Sequence, residues 1–319
     1  MIRNVLSLFD GMSCGQQALK DLGIEVDNYY ASEIDKYAIE ITQKNFPNTI
    51  QLGNVKNLCG DDLPQIDLLM GGSPCQGFSF AGKQLNFDDP RSALFFEFVR
   101  LYNECNPKYF LLENVRMKKE YQDVITEHLG VEPIMINSSL VSAQNRVRLY
   151  WTNIPNIEQP QERGIVLKDI LEDLPIENSL SPYMTKDFDG VNRLEKGIFS
   201  FTEKDKSAAL TGGAGHPNKY LIHKSKLPKV ALVQRPRGAS KGVVRELHDK
   251  SPSMTTSSWE HNNHLVRGLQ YRKLTPLECE RLQTLPDKYT EGVSNTQRYK
   301  MIGNGWTVEV IKHILNEMI

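Results

Sequence analysis

The fold is decided by residues 5–33, which read VLSLFDGMSCGQQALKDLGIEVDNYYASE. The short apolar run Val5 to Phe9 predicts a buried strand, and Gly11 opens the turn that follows it. Next comes a segment of helical period and then Tyr29 to Ser32, a second predicted strand that ends at Glu33. This order of strand, glycine turn, helix and strand is typical of an α/β domain built on a largely parallel sheet.

Glu33 stands where α/β folds bind their ligands, beyond the carboxyl end of a strand. An acidic side chain at that place can accept hydrogen bonds from both hydroxyls of a ribose. The pattern therefore indicates a nucleoside cofactor, although a plain α/β unit without a ligand also explains it. The turn lacks the GxGxxG spacing of a dinucleotide site, which argues against a dehydrogenase.

The same rhythm continues to about residue 155, and then changes to stretches rich in Pro, Gly and Ser. We predict further strands at 66–70, 109–112, 134–137, 148–152 and 230–233, and helices at 37–45, 94–102, 277–284 and 308–318. These elements predict a Rossmann-like α/β catalytic and cofactor-binding domain over 1–160. A smaller, irregular, β-rich domain is expected over 161–295, and a helix over 296–319 that returns to the first domain.

Composition excludes several classes of protein. The 319 residues carry a net charge of −1, so no global field attracts nucleic acid or membranes. No run of 18 apolar residues occurs, which predicts a soluble, cytoplasmic protein. The five cysteines form no CxxC pair and are odd in number, so neither a disulfide framework nor a metal site is expected.

The charge is uneven, because residues 216–250 hold nine Lys or Arg against two acidic residues. A solvated loop would explain this excess, and so would a surface that contacts phosphates.

The segment Gly71-Gly-Ser-Pro-Cys75-Gln-Gly-Phe-Ser79 carries the sharpest chemical signal. It places one thiol after a predicted strand, between a stiffening proline and glycines that clear the approach, as for a nucleophile. A small buried cysteine in a turn is the alternative. Glu113 ends another predicted strand, so its carboxylate can converge with Cys75 over the same sheet edge. Arg146 and Arg148 alternate onto one face of a strand, which suits an anion or a carbonyl oxygen, or a surface salt bridge.

Taken in order, these motifs resemble those of the C5-cytosine DNA methyltransferases. The resemblance covers residues 1–153 and 270–319 and includes both bacterial and phage forms and the animal de novo branch. Its motifs are Phe9-Asp-Gly11, Glu33, Ser73-Pro-Cys75-Gln76, Glu113-Asn-Val115, Gln144-x-Arg146-x-Arg148, Arg272 to Asp287 and Gly303-Asn304.

The resemblance implies a chemistry and roles for these residues. Cys75 would add to C6 of a flipped-out cytosine, Glu113 would hold N3 and the exocyclic amine, and Arg146 and Arg148 would orient the base and the catalytic loop. S-adenosylmethionine would supply the methyl group. The residues it implies for binding this cofactor are Phe9, Asp10, Gly11, Ser13, Gly15, Glu33, Ile34, Asn54, Val55, Pro74, Leu94, Asn304 and Trp306.

Three positions depart from the family's pattern. Ser13 replaces a glycine of the first turn, Ile34 stands where many members stack a tryptophan on adenine, and Asn54 stands where an aspartate accepts from the adenine amine. We expect weaker cofactor binding rather than inactivity, since none of these positions makes or breaks covalent bonds.

The residues between Tyr150 and Arg272 correspond to the family's variable target-recognition region. Its basic excess favours phosphate contacts. The expected DNA-binding residues are Gln76, Ser79, Gln144, Arg235, Arg237, Lys241, Ser257 and Trp259.

We therefore expect a monomeric, metal-free enzyme of a prokaryote or phage that methylates C5 of cytosine in a specific double-stranded DNA sequence, with a companion restriction endonuclease as a further partner. One alternative is a tRNA cytosine methyltransferase with the same chemistry, although the Cys-Phe-Thr tripeptide of that branch is absent. The other is a catalytically silent DNA-binding relative.

Overall fold

The computed structural model describes residues 2–73, 93–175, 178–179, 231–234, 243–246, 248–254, 263–267 and 270–319. Its strands, in chain order, are β1 Asn4–Leu8, β2 Asn28–Ser32, β3 Ile50–Gln51, β4 Leu68–Gly71, β5 Tyr109–Val115, β6 Ile134–Asn137, β7 Val147–Thr152, β8 Asn178–Ser179, β9 Ala231–Gln234, β10 Val243–Glu246, β11 Asn263–Arg267 and β12 Gln270–Lys273. Its helices are α1 Cys14–Asp21, α2 Lys36–Asn45, α3 Ala93–Cys105, α4 Lys119–Leu129, α5 Leu167–Ile170, α6 Pro276–Leu282, α7 Asn295–Asn304 and α8 Val308–Asn316.

The first sheet has seven strands in the order β3-β2-β1-β4-β5-β7-β6. The first five of these pair in parallel, whereas β7 runs antiparallel to both β5 and β6. The strand order reverses between β1 and β4, which is where α/β folds open a crevice for a ligand. The predicted α/β fold is therefore confirmed.

Helices cover both faces of this sheet, which explains why its strands are nearly continuous apolar runs. Along β4, Leu68 and Met70 pack into the core on one face and Leu69 into the core on the other. Helices α1 and α8 belong to the first core, and α3 and α4 to the second.

The second sheet has five antiparallel strands in the order β10-β9-β11-β12-β8. Its buried Leu232 and Leu265 belong to the same core cluster as α1 and α8. Helix α6 follows β12 directly, and the Leu282 carbonyl at its end accepts hydrogen bonds from Ser142 and Gln144. We therefore propose that the second domain ends near residue 273 rather than at the expected residue 295.

The start of α6 agrees with its sequence signals. Thr275 caps the helix, Pro276 is its first residue, and Glu278 completes the capping box.

Within the described part of the chain, every helix is too short or too polar to span a membrane.

Glu278 also joins α6 to β12 through a buried ion pair. Its carboxylate accepts from Arg272 at 2.6 and 2.8 Å, and from the backbone N–H groups of Glu172 and Thr275. The Glu278 side chain is fully buried and that of Arg272 is 9% exposed. This joint fixes the chain where it leaves the second sheet.

We expect Glu278→Gln to lower the free energy of unfolding by about 3–5 kcal/mol, because it leaves the Arg272 guanidinium buried without its counter-charge. Chemical denaturation monitored by circular dichroism measures the loss. The control is Asp287→Asn, which breaks the more exposed Arg281–Asp287 pair and should cost about 1 kcal/mol or less. Equal losses in the two variants would contradict the assigned joint.

Candidate active site

A cavity of about 410 Å³ opens at the carboxyl edge of the first sheet. The parallel strands β1, β2, β4 and β5 end at this edge, and the antiparallel β7 begins there. The cavity is lined by thirteen of the predicted site residues: Phe9, Asp10, Gly11, Glu33, Ile34, Asn54, Val55, Leu94, Glu113, Arg146, Arg148, Asn304 and Trp306. The structure therefore brings predicted base-contacting and cofactor-contacting residues to one cavity.

The turn after β1 is built from residues in the left-handed backbone region. Phe9, Gly11 and Ser13 have φ values of 57°, 60° and 60°. Glycine adopts this conformation without cost, but Phe9 and Ser13 do so against steric strain. The Ser13 hydroxyl donates to the Asp10 carboxylate, which anchors the serine where the family's pattern has glycine. The strained backbone of this turn is thus stabilised by a side-chain hydrogen bond.

Ser13 and Gly15 do not line the cavity, although both were expected to bind the cofactor. Ser13 is fully buried beneath the turn. A Cβ on Gly15 would lie 2.7 Å from Met70 Cε and 3.3 Å from Trp306 Cζ3, so Gly15 gives Trp306 room to pack. These two residues support the wall instead of forming its surface.

The Glu33 carboxylate is held by three backbone N–H groups at the end of β2. Oε2 accepts from Gly11 at 2.8 Å, and Oε1 accepts from Ile34 and Asp35 at 2.7 and 2.8 Å. Because Oε2 accepts only one of these groups, it retains capacity for a ligand hydroxyl. Glu33 therefore fixes the first turn and offers an acceptor to the cavity.

Beside Glu33 the cavity offers an apolar side chain and an amide. Ile34 is 73% exposed and lines the cavity, where its side chain suits contact with a flat apolar ring. The Asn54 oxygen already accepts from the backbone N–H of Lys56 at 3.1 Å, capping a short 3₁₀ turn. To accept the predicted hydrogen bond from the adenine amine, the Asn54 oxygen must therefore accept it in addition to the bond from Lys56.

A salt bridge spans the rim of the cavity between the loop after β2 and helix α7. Lys300 Nζ lies 2.6 Å from Asp35 Oδ2, and both residues line the cavity. Burial raises the pKa of Asp35, but the hydrogen bond and charge of Lys300, together with the backbone N–H groups of Tyr37 and Ala38, outweigh it and leave the pKa below its ordinary value. Sequence reasoning missed both residues. The available signals were that Asp35 follows Glu33 by two and that Lys300 precedes Asn304 by one helical turn.

At the other end of the cavity, Glu113 and Arg148 form an ion pair. Glu113 pairs with Tyr150 across β5 and β7, while Val115 pairs with Arg148, so Glu113 and Arg148 are diagonal neighbours on one face. Arg148 Nε lies 2.9 Å from Glu113 Oε1, and the two side chains are only 14% and 12% exposed. The guanidinium holds the carboxylate in place and keeps further donors for an acceptor oxygen.

Asn114 connects the ends of β5 and β4. Its Nδ2 donates to Ser73 Oγ at 3.1 Å, and its Oδ1 accepts from the Val115 backbone N–H at 2.8 Å. Both Asn114 and Ser73 are buried. This bond anchors the chain where it enters the Pro74-Cys75 segment.

The remaining predicted residues fall outside the described part of the chain. They are Pro74, Cys75, Gln76, Ser79, Arg235, Arg237, Lys241, Ser257 and Trp259.

Among the described cysteines, Cys14 lines the cavity. Burial raises the pKa of its thiol to about 12, so the thiol stays protonated at neutral pH and is a poor nucleophile. Cys14 is therefore not an alternative to Cys75 as the predicted nucleophile.

Gln144 occupies a different place from the DNA-facing one that was expected. It is fully buried, its Nε2 donates to the Leu282 carbonyl, and its Oε1 accepts from the Met254 backbone N–H. Its amide group is occupied by hydrogen bonds within the protein. We therefore correct its role from DNA contact to a buried link between Leu282 and Met254. Arg146 lines the cavity but is also buried, and it bonds the carbonyls of Met254, Gly303 and Gly305.

This fold and site define an α/β protein that binds a nucleoside-like ligand beside a buried carboxylate–guanidinium pair. The sequence model of C-5 cytosine-specific DNA methylases matches residues 3–319, and the chain belongs to this family. The resemblance inferred from the motifs is confirmed.

Relatives and solved structures agree with this assignment. The chain is 27% identical to the orphan methyltransferase M.SPRI of Bacillus phage SPR, over 99% of this chain and 97% of that protein. It is 30% identical to the type II methyltransferase M1.ScrFI of Lactococcus lactis subsp. cremoris, over 92% of this chain and 72% of that protein. The fold is similar to that of Spodoptera frugiperda DNMT2, with a TM-score of 0.60 and 20% identity over 99% of each chain.

S-adenosylmethionine is the methyl donor of this family, and the cavity fits it. The volume of about 410 Å³ lies in the range of small-ligand sites. Glu33 supplies an acceptor for ribose hydroxyls, and Ile34 supplies an exposed apolar contact. Among the described residues, no group of three or more His, Cys, Asp or Glu could hold a metal ion.

We expect Glu33→Gln to weaken binding of S-adenosylmethionine by about 10- to 150-fold, the equivalent of losing one hydrogen bond to a charged group at about 1.5–3 kcal/mol. Isothermal titration calorimetry measures the affinity. Asp67→Asn is the matched control, because Asp67 also accepts two backbone N–H groups, from Arg3 and Asn4 at the opposite end of β1. Unchanged affinity in Glu33→Gln would place the ribose elsewhere.

Asp10 should make stability depend on pH. Burial raises its pKa from 3.8 to about 6, despite hydrogen bonds from Ser13 and Tyr29 to the carboxylate. A raised carboxyl pKa means that the stabilisation is complete below pH 3.8 and is lost as pH rises through about 6. From pH 4 to pH 7, wild type should lose at most about 3 kcal/mol of unfolding free energy relative to Asp10→Asn. Urea denaturation at several pH values measures this difference, and parallel profiles would contradict it.

Proposed function

We propose that the protein transfers a methyl group to C5 of cytosine within a specific double-stranded DNA sequence, after Cys75 adds to C6 of a flipped-out base. The observation that carries this proposal is the shared cavity, which has the Glu113–Arg148 pair at one end and the Glu33 acceptor at the other. A base and a methyl donor bound at these two ends would lie side by side.

Attack at C6 is needed because C5 of cytosine is a poor nucleophile on its own. The Cys75 thiolate forms a bond to C6, and the electron pair of the C5–C6 bond becomes available at C5. Glu113 would meet N3 and the exocyclic amine, where charge changes during the attack. Arg148 Nε already bonds Glu113 Oε1, and Nη1 donates to the Val147 carbonyl. Arg148 would therefore hold that carboxylate in place while its remaining N–H groups bond the base carbonyl.

S-adenosylmethionine, when bound, supplies the methyl group that C5 accepts. The ring is then restored in two bond cleavages: the C5–H bond gives its proton to a base, and the C6–S bond returns its electron pair to Cys75. The free thiolate is ready for another turnover. Low solvent exposure of Glu113 and Arg148 strengthens their electrostatic contacts throughout.

Target recognition is proposed for the second sheet and the basic residues 216–250, which include Arg235, Arg237 and Lys241. Cationic side chains there would contact phosphates, and groove contacts would select the sequence. The tRNA methyltransferase and the silent relative remain the competing hypotheses. The intact Cys75, together with Glu113 paired to Arg148, favours an active enzyme.

The relatives named above are a phage and a bacterial methyltransferase, which supports a prokaryotic or phage enzyme acting in the cytoplasm. The companion restriction endonuclease and the monomeric state stay predictions.

Bisulfite sequencing of DNA from cells that express the protein tests substrate, reaction and recognition sequence together. Protected cytosines should share one short sequence. Methylation of tRNA with unmodified DNA would favour the first alternative, and no methylation of either the second.

We expect Cys75→Ser to abolish methyl transfer while cofactor affinity is retained, because a serine hydroxyl at neutral pH is a far weaker nucleophile than a thiolate. Cys59→Ser, at an exposed cysteine away from the cavity, is the control and should keep full activity. Duplex DNA with 5-fluorocytosine at the site should trap wild type as a denaturation-resistant adduct, since no C5 proton can leave. Turnover of Cys75→Ser near the wild-type rate would refute the covalent mechanism.

A further inference from the structure

Residues 248–254, which lie between β10 and β11 in the chain, dock beside the residues that precede β7. The Asn145 backbone N–H donates to the Ser251 carbonyl at 2.8 Å, and the Ser251 N–H donates to the Ala143 carbonyl at 2.7 Å. The Leu167 N–H also donates to the Asp249 carbonyl at 2.9 Å. These backbone bonds attach a loop of the second sheet to the catalytic unit.

Two side chains bond the peptide groups of Met254, the last described residue of this segment. Its backbone N–H donates to Gln144 Oε1 at 2.8 Å, and its carbonyl accepts from Arg146 Nη1 at 2.7 Å. Met254, Gln144 and Arg146 are exposed by 1%, 0% and 3%. In such a dry environment a lost hydrogen bond is not replaced by one to water.

The same two side chains continue to the wall of the cavity. Arg146 Nη2 donates to the Gly303 and Gly305 carbonyls at 3.3 and 3.0 Å. Gln144 Nε2 lies 3.3 Å from Gln283 Oε1, and Gln283 Nε2 donates to the Gly305 carbonyl at 3.2 Å. Gly303 and Gly305 line the cavity where the cofactor is proposed to bind.

A displacement of Met254 would therefore break bonds that also hold the wall. The guanidinium of Arg146 bonds both sides at once, and bonds to a charged donor are about twice as strong as neutral ones. Gln283 adds a second route to the same Gly305 carbonyl, which is bonded to both side chains. The docked loop and the cavity wall are therefore joined by one continuous hydrogen-bond network.

We propose that Gln144 and Gln283 are positioning residues that couple DNA binding by the second sheet to cofactor binding at the Gly303–Gly305 wall. This inference rests on the proposed function. Because coupling is reciprocal, DNA that fixes the docked loop should raise cofactor affinity, and the cofactor should raise DNA affinity by the same factor.

The test measures the affinity of S-adenosylhomocysteine by calorimetry, with and without a duplex that carries the sequence found by bisulfite sequencing. The ratio of the two dissociation constants is the coupling factor. In wild type it should exceed one, and Gln144→Met should reduce it by about 2- to 30-fold. Gln283→Met, which spares the contacts of Met254 and removes the second route to the Gly305 carbonyl, is the second variant and should reduce it likewise.

Ser142→Ala is the matched control. Ser142 is 1% exposed, and its hydroxyl donates to the same Leu282 carbonyl as Gln144, at 2.6 Å, but this bond reaches neither Met254 nor the wall. It should lower the melting temperature yet keep the wild-type coupling factor. Thermal unfolding shows which variants remain folded.

Three outcomes would overturn the inference: a coupling factor of one in wild type, an unchanged factor in the folded glutamine variants, or an equal loss in Ser142→Ala. Each of these can be observed in an enzyme that methylates DNA normally. Failure of the proposed function would instead appear earlier, as the absence of any protected cytosine.

Discussion

The structure depends on one topological constraint: β7 runs against its neighbours in a sheet that is otherwise parallel on that side. Parallel strands deliver the residues at their carboxyl ends to one edge, which places Glu33 and Glu113 there. An antiparallel strand reaches the same edge with its amino end. Arg148, at the start of β7, therefore meets Glu113 on β5 as a diagonal neighbour. With a parallel β7 the guanidinium would lie at the opposite edge, and the carboxylate would be left without its partner.

The first turn shows how a departure from a family pattern is accommodated. Ser13 keeps the left-handed conformation that glycine would adopt freely, and its hydroxyl bonds Asp10 in return. The same carboxylate also accepts from Tyr29 on β2, at 2.8 Å. A strained backbone and a partly desolvated carboxylate are thus stabilised by the same small network, while the Gly11 N–H remains committed to Glu33. The turn keeps its path although one glycine of the pattern is missing.

Much of the fold could be predicted from the sequence because the first sheet is covered on both faces, so its strands are short apolar runs with clear ends. The prediction missed α4, and it expected one helix over 296–319 where the structure has the two helices α7 and α8; α7 is largely polar and contains Gly303 one residue before its end. Glu33 and Glu113, which the sequence places at strand ends, both line the cavity at the sheet edge. The burial of Gln144 was not foreseeable, since its partners Met254 and Leu282 lie 110 and 138 residues further along the chain. Local pattern carries no record of such distant contacts.

The contact between α1 and α8 has a consequence for the time course of folding. Helices α1 and α8 pack in one core. Near them, the Tyr289 hydroxyl donates to the Met12 carbonyl across 277 residues. Closing so long a loop delays this contact relative to the local βαβ pairings. During synthesis, the apolar face of α1 stays unpacked until its partners, which follow the whole second sheet in the chain, have been translated. Asn304 and Trp306 arrive with those partners, so the cavity acquires its last wall only then. A nascent chain would therefore be unable to retain the cofactor, and its exposed core would be accessible to chaperones, until α8 has been translated.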